Sequence, residues 1–63
     1  MSLSQNIKRL REQKELTQGE LAKMVGISQP MIAQYEMGIK IPSVAVAVEL
    51  AKKLGTTCEE LVL

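Results

Sequence analysis

The feature that most constrains this 63-residue chain is a segment that carries start and stop signals for two short helices in succession. The segment covers residues 17–38, TQGELAKMVGISQPMIAQYEMG. Thr17 and Glu20 form a capping box, which starts a helix at the residue after the threonine. Gly26 can adopt the left-handed conformation that ends a helix, and Ser28 is a good N-cap for the next one. The segment therefore predicts two helices joined by a tight turn.

Apolar residues recur at helical spacing in both predicted helices, which gives each an inward face. These residues are Leu21, Ala22 and Val25 in the first helix and Ile32 and Tyr35 in the second. Pro30 is compatible with a first helical turn, because backbone donors there lack intrahelical partners. Gly38 follows the last periodic residues and ends the second helix. The expected helices cover residues 18–25 and 29–36, the outline of a helix-turn-helix motif.

The segment before this motif predicts a first helix over about residues 3–14. Its apolar residues and Lys14 recur at helical spacing, and either Ser2 or Ser4 can serve as the N-cap. Only a short connection remains before the cap at Thr17, so this helix leads directly into the motif.

The segment after the motif allows two interpretations. The run VAVAV alternates like a strand, and its β-branched valines favour that structure. A helix over about residues 44–54 fits better, because apolar residues recur at i, i+3, i+4, i+7 and i+10 from its first valine. In addition, no other segment alternates in a way that would pair with a strand. Ser43 caps this helix, Pro42 keeps the preceding residue out of the helical region, and Gly55 ends the helix.

A last short helix is predicted over about residues 58–62, where Thr57 and Glu60 form another capping box. Its Leu61 is expected in the core. The sequence thus predicts an all-α fold, a compact five-helix bundle formed by a single domain over residues 1–63.

The composition limits the classes of protein to which the chain can belong. One cysteine and no histidine exclude an internal disulfide framework and a Cys/His zinc site, so no metal or cofactor is expected. No apolar run is long enough for a membrane span, and the N-terminus lacks signal-peptide regions, so a cytoplasmic protein is expected. Without a histidine, a phosphate-binding glycine loop or convincing paired carboxylates, we expect neither an enzyme nor a small-molecule substrate.

The charge distribution gives weak support for a nucleic-acid partner, because the net charge is only +1. Basic residues cluster before the motif, and they can equally belong to solvated helix faces. The single cysteine, Cys58, is interpreted as inert, since Glu59 and Glu60 disfavour the electropositive surroundings that a reactive thiolate needs.

The complete pattern resembles the DNA-binding domain of the phage repressor and Cro family, also called Xre-like helix-turn-helix regulators. The resemblance is carried by LTQGELAKMVGISQPMIAQYEMG, by Pro42 and Ser43, and by LAKKLG at residues 50–55. It implies a lambda-repressor-like bundle of five helices, a cytoplasmic location and sequence-specific binding of double-stranded operator DNA, usually as a dimer.

The resemblance also implies that the helix over residues 29–36 enters the major groove and reads bases. The expected base-contacting residues are Ser28, Gln29, Pro30, Ala33 and Gln34. A glutamine can form two hydrogen bonds with adenine, whereas Pro30 and Ala33 depart from the polar pattern of the family and can only pack on a thymine methyl. Taken alone, both glutamines would equally fit solvent-facing positions.

Other positions are expected to contact phosphates, which position a protein on DNA without reading its sequence. They are Thr17, Gln18, Lys40, Ser43 and Lys8. In the family, the residue that matches Gln18 also braces the residue that matches Gln29. Arg11 and Glu36 match positions that form a partly buried ion pair between the first and third helices. The few cations predict modest affinity and a shallow dependence on salt.

A dimer interface is expected around the loop between the third and fourth helices, where apolar residues occupy positions that are commonly polar in the family. The expected residues are Met37, Ile39, Ile41 and Val46, joined at the end of the chain by Leu61, Val62 and Leu63. Single exposed hydrophobic residues are normal on protein surfaces, but several near one loop favour a contact patch. A homodimer would bind a pseudo-palindromic operator.

Two functions are compatible with these observations. The first is a DNA-binding transcriptional regulator, expected to act as a repressor. The second is a protein-interaction module on the same fold, such as an antitoxin or a co-activator bridge, which the low charge, Pro30 and the apolar loop favour. A protein partner that buries residues 37–46, without sequence-selective DNA binding, would identify the second.

Overall fold

The computed structural model describes residues 2–62, and this range contains five α-helices and no strand. They are α1 (Leu3–Gln13), α2 (Gln18–Val25), α3 (Gln29–Glu36), α4 (Val44–Leu54) and α5 (Cys58–Val62). The bounds of α2 to α5 agree with the prediction, and α1 ends one residue earlier than predicted because Lys14 is its C-cap. The all-α prediction is confirmed, and the VAVAV run is helical. Within the described residues, no helix is long and apolar enough to cross a membrane.

Each helix is preceded by a serine or threonine whose hydroxyl accepts a hydrogen bond from a backbone N–H of the first turn. These residues are Ser2, Thr17, Ser28, Ser43 and Thr57. Ser2, rather than Ser4, caps α1 and forms a capping box with Gln5. The capping box of Thr17 and Glu20 is present as predicted. The start of each helix is therefore determined by local hydrogen bonds that the sequence already signals.

The end of α1 depends on a conformation that the sequence analysis did not predict. Gly26 and Gly55 end α2 and α4 in the left-handed conformation, with φ of 83° and 72°. Glu15 adopts the same conformation after α1, with φ of 57°. The N–H of Leu16 then donates to the carbonyl of Arg11 at 3.1 Å, which closes the helix. Because a glutamate rarely adopts a positive φ, this turn had no signal in the sequence.

The core receives one fully buried aliphatic side chain from every helix. These side chains are Ile7, Leu21, Ile32, Leu50 and Leu61, in the order α1 to α5. Helix α3 packs against α1 and α2, α4 covers α1 and α2, and α5 packs against α1 and α4. The expectation that Leu61 belongs to a dimer interface is wrong, because α5 uses this side chain to anchor itself to the core.

Helix α4 buries Ala51 and Leu54 as predicted, but the start of its inner face differs from the prediction. Val44, the first residue of the predicted apolar face, is 82% exposed, whereas Leu50 is fully buried. Val46 is partly buried and packs against the core. The alternating valines and alanines allow more than one apolar face, and Leu50 and Leu54 select the face that includes Val46, since residues four apart share one side of a helix.

Asn6 is a buried polar side chain in α1 that the sequence analysis did not single out. It is 2% exposed, and its Nδ2 donates to the backbone carbonyl of Leu61 at 2.9 Å. Its Oδ1 accepts from Nη2 of Arg9 at 3.5 Å. A buried amide needs such partners to offset the loss of water. This hydrogen bond therefore connects α1 to the carbonyl end of the short helix α5.

Candidate nucleic-acid interface

The N-terminal turn of α3 lies on the surface of the bundle. Ser28, Gln29 and Pro30 are exposed, and the next outward positions, Ala33 and Gln34, are half-buried. The opposite side of the helix is anchored by two buried residues, Ile32 and Tyr35. The five residues predicted to contact bases thus lie on the outer side of α3, and the opposite side of the helix packs against the core.

A hydrogen bond between two glutamines braces this exposed turn. Nε2 of Gln29 donates to Oε1 of Gln18 at 2.7 Å. Nε2 of Gln18 in turn donates to Oε1 of Glu36 at 3.0 Å. Gln18 is the first residue of α2 and Glu36 is the last residue of α3. These bonds connect both ends of α3 to the start of α2.

Glu36 is also bound to Arg11 of α1 through two hydrogen bonds. Nε of Arg11 lies 2.7 Å from Oε2 of Glu36, and Nη2 lies 3.1 Å from Oε1. Nη1 of Arg11 donates to the backbone carbonyl of Leu16 at 2.8 Å, in the connection between α1 and α2. The hydrogen bonds to Glu36 raise the pKa of Arg11 above its usual value. The guanidinium thus joins three parts of the chain at the point where the resemblance implied an ion pair.

The residues predicted to contact phosphates lie mostly on the surface. Lys8, Thr17, Lys40 and Ser43 are exposed, and Gln18 is half-buried. Lys40 stays close to α3, because its backbone N–H donates to the carbonyl of Gln34 at 3.4 Å. The cap hydroxyls of Thr17 and Ser43 accept hydrogen bonds from the protein, which leaves their own hydrogens able to donate to a phosphate.

The loop after α3 exposes several apolar side chains. Met37, Ile39 and Ile41 are 62–83% exposed, and Val44 extends this surface into the first turn of α4. We call these four residues the apolar strip. Val62 is exposed in α5. Among the other predicted dimer residues, Val46 is partly buried against the core and Leu63 lies outside the described residues. The sequence analysis missed Val44, which it had assigned to the inner face of α4.

The structure shows no metal centre among residues 2–62, since no group of three or more His, Cys, Asp or Glu side chains is placed to hold an ion. Cys58 is a free, half-buried thiol that packs against the core. It is the first residue of α5, and its lack of reactivity stays a prediction.

The known proteins that are similar to this chain include transcriptional regulators. A sequence model described as helix-turn-helix matches residues 7–61. The uncharacterized HTH-type transcriptional regulator y4dJ of Sinorhizobium fredii is 42% identical over 57 residues, which cover 90% of this chain and 74% of the relative. The uncharacterized HTH-type transcriptional regulator YqaE of Bacillus subtilis is 33% identical over 58 residues. That match covers 92% of this chain but only 50% of YqaE, so the chain spans half the length of this relative.

Two solved structures are similar over nearly the whole chain. The P22 c2 repressor, in a crystal structure with the synthetic operator 9T, has a TM-score of 0.96 and 27% identity, and the match covers 98% of this chain and 94% of the repressor chain. The restriction-modification controller protein C.AhdI of Aeromonas hydrophila has a TM-score of 0.88 and 29% identity, and the match covers 94% and 89% of the two chains.

Proposed function

The chain belongs to the helix-turn-helix family, and from this membership we propose that it is a transcriptional regulator that binds double-stranded DNA with sequence specificity. The observation that carries the proposal is the exposed N-terminal turn of α3, held rigid by the hydrogen bond from Gln29 to Gln18. An exposed, braced turn of this kind suits the second helix of a helix-turn-helix, whose N-terminal residues contact base edges in the major groove. The regulator acts by occupying DNA, as a repressor does, and it acts in the cytoplasm.

In this proposal, the outer side of α3 reads the bases. Gln29 and Gln34 form hydrogen bonds with base edges, and Ser28 adds a hydroxyl that can donate or accept. Pro30 and Ala33 pack on thymine methyl groups. Since only two side chains in this set are amides, the sequence that each half-site requires is short.

In the proposal, the phosphate contacts come from exposed or half-buried residues that precede and follow α3 in the sequence. Lys8, Thr17, Gln18, Lys40 and Ser43 form this set. Only Lys8 and Lys40 carry charge, and each neutralised phosphate adds about 0.9 to the slope of log affinity against log salt concentration. We therefore expect binding with a shallow salt dependence.

A homodimer would place two copies of α3 in successive major grooves, about 34 Å apart on a pseudo-palindromic operator. Met37, Ile39 and Ile41 of the apolar strip, together with Val62, are the candidate contacts. Sedimentation of the Ile41→Lys variant tests this arrangement, since a residue that is 83% exposed can be replaced without affecting the core. The variant is expected to be monomeric and to bind DNA weakly, while Met24→Lys on α2 is the matched control. A parent protein that stays monomeric on its operator would rule out the dimer.

The apolar strip favours one other function, a protein-interaction module on the same fold. Contiguous exposed apolar surface is typical of protein contact sites. In that case a protein partner would bury residues 37–46, and binding to DNA would show no preference for sequence.

Selection from random DNA duplexes at two salt concentrations distinguishes these functions. We expect one enriched pseudo-palindromic site, with affinity that falls modestly at the higher salt concentration. Gln29→Ala is expected to keep the fold and to lose preference at one base pair in each half-site, at a cost of about 1–3 kcal/mol in discrimination. If no sequence is enriched, the regulator proposal fails and the interaction module becomes the better function.

A further inference from the structure

We propose that Glu36 is a positioning residue that determines which base Gln29 prefers, although its side chain is only 4% exposed. The inference rests on the proposed function, because it specifies how the DNA-binding surface selects between adenine and guanine. It is argued from the direction of three linked hydrogen bonds. Arg11 and Gln18 both donate to Glu36, and Gln29 donates to Gln18.

The carboxylate of Glu36 determines the direction of the first bonds. An ionised carboxylate can only accept hydrogen bonds, and a guanidinium can only donate them. Both carboxylate oxygens already accept a hydrogen bond from the guanidinium of Arg11, at 2.7 and 3.1 Å. Any group that binds Oε1 of Glu36 from the side of α2 must therefore be a donor.

This requirement orients the amide of Gln18. An amide side chain has one donor end and one acceptor end, and the two ends are similar in shape. Nε2 of Gln18 must face Glu36, where it lies 3.0 Å from Oε1. The oxygen of Gln18 consequently faces Gln29 and can only accept from it, at the observed distance of 2.7 Å.

The orientation of Gln18 in turn decides what Gln29 presents to a ligand. One N–H of Gln29 is used by Gln18, which leaves the other N–H and the carbonyl oxygen free. One donor beside one acceptor matches adenine, which offers N7 as acceptor and N6–H as donor in the major groove. Guanine offers only acceptors there, N7 and O6, so the free oxygen of Gln29 would face a second acceptor and could not form a hydrogen bond. Glu36 thus selects adenine without touching the DNA.

If Gln18 were released, its amide could turn over and donate to the oxygen of Gln29. Gln29 would then present both N–H groups outward, which suits the two acceptors of guanine. The loss of the Glu36 carboxylate should therefore change base preference at one position, and not only the overall affinity.

The test measures the ratio of affinities for two operator duplexes that differ only by adenine or guanine at the base read by Gln29. That base is located first, as the position at which Gln29→Ala abolishes preference in the selected site. The parent is expected to prefer adenine by at least about fivefold. Gln18→Met and Glu36→Met, which remove the donor and the acceptor of the bond between these residues, are expected to bring this ratio to within about twofold of one, while the preferences at other positions are kept.

Gln18→Met leaves the pair of Arg11 and Glu36 intact, so it tests the link through Gln18 even if Glu36→Met does not fold. Asn6→Ala is the matched control, because it removes a buried hydrogen bond elsewhere in the bundle and should leave the ratio unchanged. The inference is overturned if the parent does not prefer adenine, if Gln18→Met or folded Glu36→Met retains the ratio, or if Asn6→Ala lowers it equally. The proposed function fails separately, when the parent selects no sequence at all.

Discussion

Arg11 of α1 and Glu36 of α3 form an ion pair with two parallel hydrogen bonds, and their side chains are only 11% and 4% exposed. The pair lies behind the surface proposed to bind DNA and connects it to the first helix. Its charges are nearly removed from water, so each depends on the other for stabilisation. If Glu36 also orients Gln18 as proposed, stability and recognition are linked through one carboxylate.

The first prediction concerns the loss of this pair. Arg11→Ala should lower the free energy of unfolding by about 3–5 kcal/mol, because the buried carboxylate of Glu36 loses its charged partner. Urea denaturation followed by circular dichroism measures the change. Lys8→Ala, an exposed cation on the same helix, should remain within about 0.5 kcal/mol of the parent. Equal stability of the two variants would contradict the structural role of the pair.

The second prediction concerns the strained end of α1. Glu15→Gly should raise the free energy of unfolding by about 0.5–1 kcal/mol, because glycine adopts the φ of 57° at this exposed site without steric cost. Glu12→Gly, inside α1, should have the opposite effect and lower the free energy of unfolding by about 1 kcal/mol. Thermal or urea denaturation of both variants compares them directly. Destabilisation of both would show that the left-handed residue is not strained.

The third prediction concerns the pH dependence of the capping box at the start of α2. The backbone N–H and the hydroxyl of Thr17 lower the pKa of Glu20 below its usual value. Because the pKa is lower in the folded protein, this stabilisation is present above the ordinary pKa of a glutamate and is lost as pH falls through the folded value.

Glu20→Gln should therefore melt at a lower temperature than the parent at neutral pH, and the difference should shrink in acid. Melting midpoints measured from about pH 7 down to about pH 3 give the result. Midpoints that differ by the same amount at every pH would contradict the proposed role of the ionised carboxylate.

The fourth prediction concerns phosphate binding by the loop after α3. Lys40→Ala should reduce the slope of log affinity against log salt concentration by about 0.9 for each bound subunit, or about 1.8 for the proposed dimer, since each subunit neutralises one fewer phosphate. The reduction in affinity should be similar for all sequences, because a phosphate contact carries no base information. Fluorescence anisotropy titrations at several salt concentrations provide the slope. Lys53→Ala, at the end of α4 and outside the proposed contact set, should leave the slope unchanged.

The fifth prediction concerns the buried amide that connects α1 and α5. Asn6→Ala should lower the free energy of unfolding by about 1–3 kcal/mol, because the carbonyl of Leu61 loses its side-chain donor in a buried position. Gln13→Ala, at the exposed end of α1, should change it by less than about 0.5 kcal/mol. Chemical denaturation of both variants tests the assignment.

The positions of the helices could be read from the sequence because the signals that set them are local. Thr17, Ser28 and Ser43 each cap a helix through a bond to a backbone N–H three residues along the chain. Such bonds depend only on nearby residues. The resemblance to the repressor family added the outer side of α3 as the candidate reading surface and the pairing of Arg11 with Glu36.

Tertiary structure alone decided which apolar residues face inward and how the polar side chains connect. Val44 and Val46 are alike in sequence, but packing around Leu50 exposes the first and partly buries the second. Leu61 was expected both in the core and at a dimer surface, and the fold gives it only the first position. The bond from Gln18 to Glu36 joins residues that are distant along the chain, so its direction follows only from the arrangement of three helices around one buried carboxylate.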